Sequence, residues 1–205
     1  MADPAATPPH SPLAHAAHRL AAATRASRGA LRLAELPFLA QLNVRFDPKG
    51  PAADAVALAL GLAPPTEPGT AVHGPDGPTL LWLGPDEWLL VSRPGSQGEW
   101  EGRIRSACAD TAPVAVTDVS AQRTTLLVAG PRARDLLAHG CALDLHPRAF
   151  GPGRCAQTGL ARTQVVLVAR DAPGAGFWVL VRSSFAAYLA EWLLDAATEY
   201  GAPAS

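Results

Sequence analysis

The chain has little charge of either sign and little sulfur. Charged residues make up 17% of its 205 residues, and the net charge is −1. No part of the sequence is strongly basic, which argues against a nucleic-acid partner. The three cysteines, Cys108, Cys141 and Cys155, are odd in number. They cannot form the disulfide framework of a small secreted domain and instead predict reduced thiols in a cytoplasmic setting. No apolar run is long enough to span a membrane. Phosphate-cradling loops are also missing: there is no Gly-x4-Gly-Lys and no strand-linked Gly-x-Gly-x2-Gly. Flavin or nicotinamide binding by this chain alone therefore has no motif behind it. The first residues lack a charged start followed by an apolar stretch, so a secretory signal is not read there. Residues 1–30, rich in Ala, Pro and Arg, are expected to form a loosely ordered arm, although such a composition also occurs in transit peptides.

What is present is apolar pattern. Hydrophobic residues make up 48% of the chain, enough for one sizeable folded domain. Residues 41–46 read as a strand. "PAADAVALALGL" reads as a helix, opened by Pro51 and stopped by Gly61. "TLLWLGPDEWLLVS" reads as a hairpin turning at Gly84-Pro85-Asp86. Ser96 and Glu99 have the spacing of a capping box. Trp100, Ile104, Ala107 and Cys108 then fall on one helical face, which makes Cys108 a core residue.

The order then repeats. "VAVTDVSAQRTTLLVAG" is strand material, and "PRARDLLAHG" is a helix opened by Pro131 and ended by Gly140. "QVVLVARD" and "FWVLVRSS" form a second hairpin. "FAAYLAEWLLDAATEYG" is a last helix, with Phe185, Leu189, Trp192, Leu193 and Ala196 on one face. Each unit reads strand–helix–strand–strand–helix. The expectation is an α+β fold in which a first repeat, residues 31–112, and a second, residues 113–201, share one core as a single domain.

The stretch "GCALDLHPRAFGPGRC", residues 140–155, is the densest in reactive residue types. Cys141, Asp144, His146 and Cys155 could supply zinc ligands, but structural zinc sites bring close pairs such as Cys-x2-Cys, and none occurs here. A Cys–His nucleophile pair needs a third residue to orient the base, and no local signature supplies one. The remaining reading is a shaped loop: Pro147, Gly151, Pro152 and Gly153 set its turns, Cys141 packs under the preceding helix, and Leu143 and Leu145 are buried. "GPDGP" at 74–78 and "APGAGF" at 172–177 are turn sequences. Asp118 sits at a strand end beside Ser120, where a carboxylate commonly holds a turn. Arg123 alternates with apolar neighbours and is expected to be solvated or at an interface. Trp82 and Trp88 flank the first hairpin turn, and Trp178 occupies the matching hairpin. Tryptophans there either pack in the core or anchor a protein interface.

Several long motifs carry a resemblance. "ELPFLAQLNVR", "LWLGPDEWLLV", "VTDVSAQRTTL", "GPRARDLLAHGCALDLHPRAFGPGRCAQT" and "SFAAYLAEWLLDAATEYG" resemble, in order, the gamma subunits of heterotetrameric sarcosine oxidases. "SPLAHAA" near the start fits too, and the likeness runs from about Ser11 to Gly201. It implies a noncatalytic subunit of a complex that demethylates sarcosine to glycine and hydrogen peroxide and passes the one-carbon unit to tetrahydrofolate. On this resemblance the partners are alpha, beta and delta subunits, and FAD, FMN, NAD, zinc and tetrahydrofolate sit on those partners. No catalytic, cofactor or metal residue is expected here. The expected partner-facing residues are Trp82, Trp88, Arg123, His146, Phe150 and Trp178.

The resemblance also implies a fold similar to the folate-binding domain of aminomethyltransferases, and with it a rival reading, a free-standing folate-binding protein. That family carries a Gly-Phe-Glu segment whose carboxylate meets the pterin. Here the segment is Gly176-Phe177-Trp178, preceded by "DAPGA" rather than a "YTGE"-type sequence. An indole cannot make the carboxylate's bidentate contact, which argues against folate binding. Gly159 stands where the gamma family leads one to expect a larger apolar residue, and it should weaken the strand there.

Overall fold

Alternating apolar residues build ten strands in the computed structural model, which describes residues 9–74, 77–110, 113–170 and 176–201. The strands are β1 (Arg32–Leu36), β2 (Ala40–Arg45), β3 (Ala71–His73), β4 (Thr79–Gly84), β5 (Glu87–Ser92), β6 (Ala115–Asp118), β7 (Arg123–Ala129), β8 (Cys155–Leu160), β9 (Thr163–Ala169) and β10 (Phe177–Arg182). The helices are α1 (Ala17–Ala26), α2 (Pro51–Leu60), α3 (Gln97–Cys108), α4 (Ala133–Ala138) and α5 (Ala186–Ala197). Two antiparallel sheets result, ordered β1-β7-β10-β9-β8 and β3-β4-β5-β2-β6.

The α+β class and the internal repeat both hold, but each unit is larger than expected. It runs strand–strand–helix–strand–strand–strand–helix, because β1 and β6 add a strand at the start of each unit and β3 and β8 add one after its first helix. Reading the second sheet backwards as β6-β2-β5-β4-β3 matches the first strand for strand. The match requires an exchange. β1 lies in the sheet of the second half, against β7, and β6 lies in the sheet of the first half, against β2.

Strand alternation sends one face of each sheet to helices and the other face to the opposite sheet. Leu42, Val44, Trp88 and Leu90 pack under α2 and α3 with Val56, Trp100, Ile104 and Cys108. Leu126, Val128, Leu167, Val179 and Val181 pack under α1, α4 and α5. Leu81, Leu89 and Val91 meet Val166, Val168 and Leu180 between the sheets. The layers therefore run helix, sheet, sheet, helix.

The stop and start signals are mixed in outcome. Pro51 is the first residue of α2, and Gly61 ends it in the left-handed conformation, φ 67°. Gly159 lies within β8 opposite Gln164, so the strand tolerates it. The capping box does not form. Ser96 follows the Gly95 turn, φ 79°, and its hydroxyl turns back to donate to the Arg93 carbonyl at 2.7 Å. Glu99 instead accepts from Arg93 at 2.6 Å. Pro131 lies in the turn before α4, which begins at Ala133.

Two expectations are corrected outright. Residues 1–30 are not a loose arm throughout: Ala14–Ala16 form a 3₁₀ turn leading into α1. Leu13, Ala16 and Leu20, at helical spacing, are buried in the core. Glu35 accepts hydrogen bonds from Ser11 and, at 2.6 Å, from Thr124. Arg19 pairs with Glu191 of α5. In α5 the buried stripe is Ala186, Leu189, Ala190, Leu193 and Ala197, whereas Phe185 is 46% exposed. The 3₁₀ turn at Ser183–Phe185 advances more degrees per residue than an α-helix and carries Phe185 off the buried face.

Candidate functional site

The stretch from Gly140 to Cys155 is a loop with its own internal supports. Asp144 accepts the His146 backbone N–H at 2.8 Å, and the Nδ1 of His146 accepts that of Arg148 at 3.2 Å. Both are short turn closures of the kind Asp and His make in loops. Gly140 is required by packing, since a Cβ there would lie 2.6 Å from the Trp192 ring and 3.0 Å from the Ala161 nitrogen. Arg134, on α4, closes the loop from beneath. Its guanidinium donates to the carbonyls of Leu145 and, at 2.9 Å, Phe150. It also sits 4.9 Å from the centre of the Phe177 ring. Leu145 and Phe150 are buried and Leu143 is half-buried, which seals the loop against the helical layer.

The cysteines are placed for packing. Cys141 bridges to Leu160 in the sheet and lies partly buried against the helical core. Cys155 is buried between the sheets, and its thiol donates to the Thr70 carbonyl at 3.3 Å. Burial pushes that thiol up to about 11, so it is protonated and a poor nucleophile at neutral pH. Burial also raises Cys108. Among the described residues no group of three or more His, Cys, Asp or Glu is placed to hold a metal ion. Asp118 caps the turn into β7, accepting the Ser120 backbone N–H at 2.9 Å and its hydroxyl at 2.5 Å.

The six residues expected to face partners separate into three environments. Trp88 is a correction: it is 0% exposed, stacked on Phe46 at 4.2 Å, with its indole N–H donated to the Pro65 carbonyl at 2.8 Å. Phe150 is 6% exposed and stacked on Phe177 with 6.4 Å between centroids. Its exposed edge, with half-buried Trp82, lines a cleft of about 320 Å³ that also takes in Leu143, Arg154 and Gln157. His146 is exposed on the loop. Trp178 and Arg123 are half-buried on the inter-sheet faces of β10 and β7. Arg170 stacks over the Trp178 ring at 4.8 Å.

Gly176-Phe177-Trp178 begins β10. Gly176 has φ 69°, and a Cβ on it would lie 2.4 Å from the Val128 carbonyl oxygen, so only glycine fits. Phe177 points into the helical core and Trp178 towards the opposite sheet. The "DAPGA" segment before it, and the Pro75-Asp76 part of "GPDGP", lie outside the described residues.

Sequence reasoning missed four residues that shape these surfaces. Arg134 looks like a solvated helix residue until the loop is folded over it. Arg182 could have been found, because alternation from Trp178 and Leu180 puts it on the same strand face. Gln41 is 1% exposed and donates from Nε2 to the Arg123 carbonyl at 3.1 Å, a contact between segments far apart in sequence. Phe38 is 43% exposed with φ 61°, a left-handed backbone that a bulky side chain rarely takes.

Two similar halves with exchanged first strands define a duplicated α+β fold. The glycine-cleavage aminomethyltransferase T of Bartonella henselae shares this fold, with a TM-score of 0.63 at 18% identity over 86% of this chain and 48% of that one. Within that fold the family is settled by closer relatives. A model described as "Sarcosine oxidase, gamma subunit family" matches residues 45–199, and the chain belongs to that family. It is similar to the sarcosine oxidase subunit gamma of an Arthrobacter species, 37% identical over 193 residues covering 94% of this chain and 92% of that one. It is also similar to that of Corynebacterium sp. strain U-96, 36% identical over 195 residues covering 94% and 91%. A chain in the structure of the heterotetrameric sarcosine oxidase from Corynebacterium sp. U-96 in complex with pyrrole 2-carboxylate superposes with a TM-score of 0.86. That pair is 34% identical and covers 97% of this chain and 100% of that one.

Proposed function

We propose that this chain is a noncatalytic gamma subunit of a heterotetrameric sarcosine oxidase. The observation that carries the reading is the superposition, over almost the whole of both chains, on a chain of such a complex. In the Gly140–Cys155 loop Asp144 and His146 make turn closures and the Cys155 thiol is buried, which supports a role in assembly rather than chemistry. The oxidative demethylation of sarcosine, its FAD, FMN, NAD and zinc, and the transfer to tetrahydrofolate then belong to the alpha, beta and delta partners. The setting is cytoplasmic. Co-expression with the alpha, beta and delta chains tests this. The tagged chain should co-purify with all three, and omitting it should lower the yield of assembled oxidase. Full assembly and activity of the other chains, with this one never bound, would overturn the proposal.

The free-standing folate-binding reading keeps only the fold in its favour. On the sequence resemblance, Trp178 replaces the carboxylate of the Gly-Phe-Glu segment. Calorimetric titration of the isolated chain with tetrahydrofolate should give no binding heat; saturable heat at micromolar ligand would revive it.

A further inference from the structure

Arg123 begins β7 and Arg182 ends β10, and the ladder sets them directly opposite one another. Directly opposed like charges in an antiparallel pair are destabilising. Arg123 is half-buried, and its guanidinium is disfavoured first by desolvation and then by Arg182. Among the described residues neither arginine has an ion pair within 4.0 Å. Glu87 is the acidic group near Arg123, but its Oε1 accepts from the Asn43 amide at 2.7 Å instead.

The pair is also held in place. Gln41 pins the Arg123 carbonyl at 3.1 Å. Ser183, next after Arg182, donates its backbone N–H to the Gln122 carbonyl and its hydroxyl to the Ala121 carbonyl, both at 3.0 Å. Two arginines on opposed, hydrogen-bonded backbone positions, neither in an ion pair within 4.0 Å among the described residues, match a carboxylate, which arginine binds through parallel N–H donors.

The surroundings suit a protein segment rather than a free ion. Phe185, three residues beyond Arg182, is 46% exposed. On the other side of the 119–122 turn, Ser120 and Ala121 line a cavity of about 530 Å³ together with Phe38, Pro94 and Gly95. Aromatic and apolar residues beside a charge pair that a partner would cover are the anatomy of an interface centre.

We propose that Arg123 and Arg182 receive an acidic side chain of a partner subunit, with Phe38 and Phe185 packing on the apolar residues beside it. The inference rests on the subunit reading and names the chemistry of one contact within it. Before assembly Glu87 offsets only part of the repulsion between the two arginines, and the complex relieves the rest.

The test compares wild type with Arg123→Gln/Arg182→Gln in the co-expressed complex, reading subunit release by sedimentation at rising NaCl. The variant should bind at least tenfold more weakly and lose most of the salt dependence, while the Tm of the isolated chain stays level or rises. Equal affinity and equal salt dependence for variant and wild type would overturn this inference alone. A lowered Tm of the isolated variant would mark the arginines as structural and also overturn it. So would acetate raising the Tm of the isolated wild type but not of the variant, with assembly unchanged, since that assigns a free-anion site. If the wild type never co-purifies, the subunit reading fails and this contact fails with it.

Discussion

Replacing Arg134 by methionine removes the loop's central support while keeping most of its length. Two carbonyls, those of Leu145 and Phe150, lose a charged donor. Hydrogen bonds to charged groups contribute about 1.5–3 kcal/mol each. Arg134 is only half-buried, so the lower end applies, and the contact with Phe177 adds about 0.5 kcal/mol. Methionine recovers part of the packing, leaving an expected loss of about 2–3.5 kcal/mol. In a domain of this size each kcal/mol moves Tm by about 2–4 °C, so thermal unfolding followed by circular dichroism should shift down by roughly 4–14 °C. Cys141→Ser and His146→Ala should leave both metal content and the activity of the assembled complex unchanged, because neither side chain belongs to a metal-holding cluster among the described residues. A Tm for Arg134→Met within about 1 °C of wild type, at the limit set by roughly 0.5 kcal/mol, would refute the account of the loop as an arginine-closed connection. Bound zinc lost on His146→Ala would refute it from the other side.

Trp88→Ala should destabilise the isolated chain by about 3–5 kcal/mol, the usual range for deleting a buried tryptophan, whereas Trp82→Ala should cost less than half of that in the same denaturant titration. Gly176→Ala should lower stability by more than about 1 kcal/mol, since its Cβ would overlap the Val128 carbonyl; stability equal to wild type would contradict the geometry around β10. Cys155 should resist iodoacetamide at pH 8 in the native protein and react once the chain is unfolded. Its thiol is raised above the unfolded value of roughly 8.5, so the folded state binds the proton more tightly. The stability it contributes is therefore intact below that value and is lost as pH rises towards about 11. Cys155→Ala should flatten stability over this window in urea titrations at successive pH values.

Local signals carried much of the architecture. Pro51 and Gly61 bounded α2, and the Gly84-Pro85-Asp86 turn marked the β4–β5 hairpin, because the relevant chemistry lies within a few residues. β1 was invisible for the opposite reason. Its partner, β7, is more than eighty residues away, and nothing in "RLAEL" announces that pairing. The arm was misread through its composition, although Leu13, Ala16 and Leu20 already held a helical spacing. Trp82 and Trp88 are opposite one another in the ladder and indistinguishable by pattern. Only the cover supplied by Phe46 and Pro65 separates the buried one from the half-buried one. Arg123 was singled out from its own strand, but the repulsion that makes it informative depends on a register with Arg182.

The crossing of β1 and β6 between the halves is the geometry of a domain-swapped two-fold dimer written into one polypeptide. Each half holds a strand that completes the other, so neither sheet closes unless both halves are present. A chain cut near residues 111–112 should yield fragments that are unfolded apart and fold on mixing, with a single denaturation transition whose midpoint depends on concentration. The same exchange also ties folding to contacts of long sequence separation, which predicts slow folding for the free subunit and places it among the later pieces to become competent for assembly.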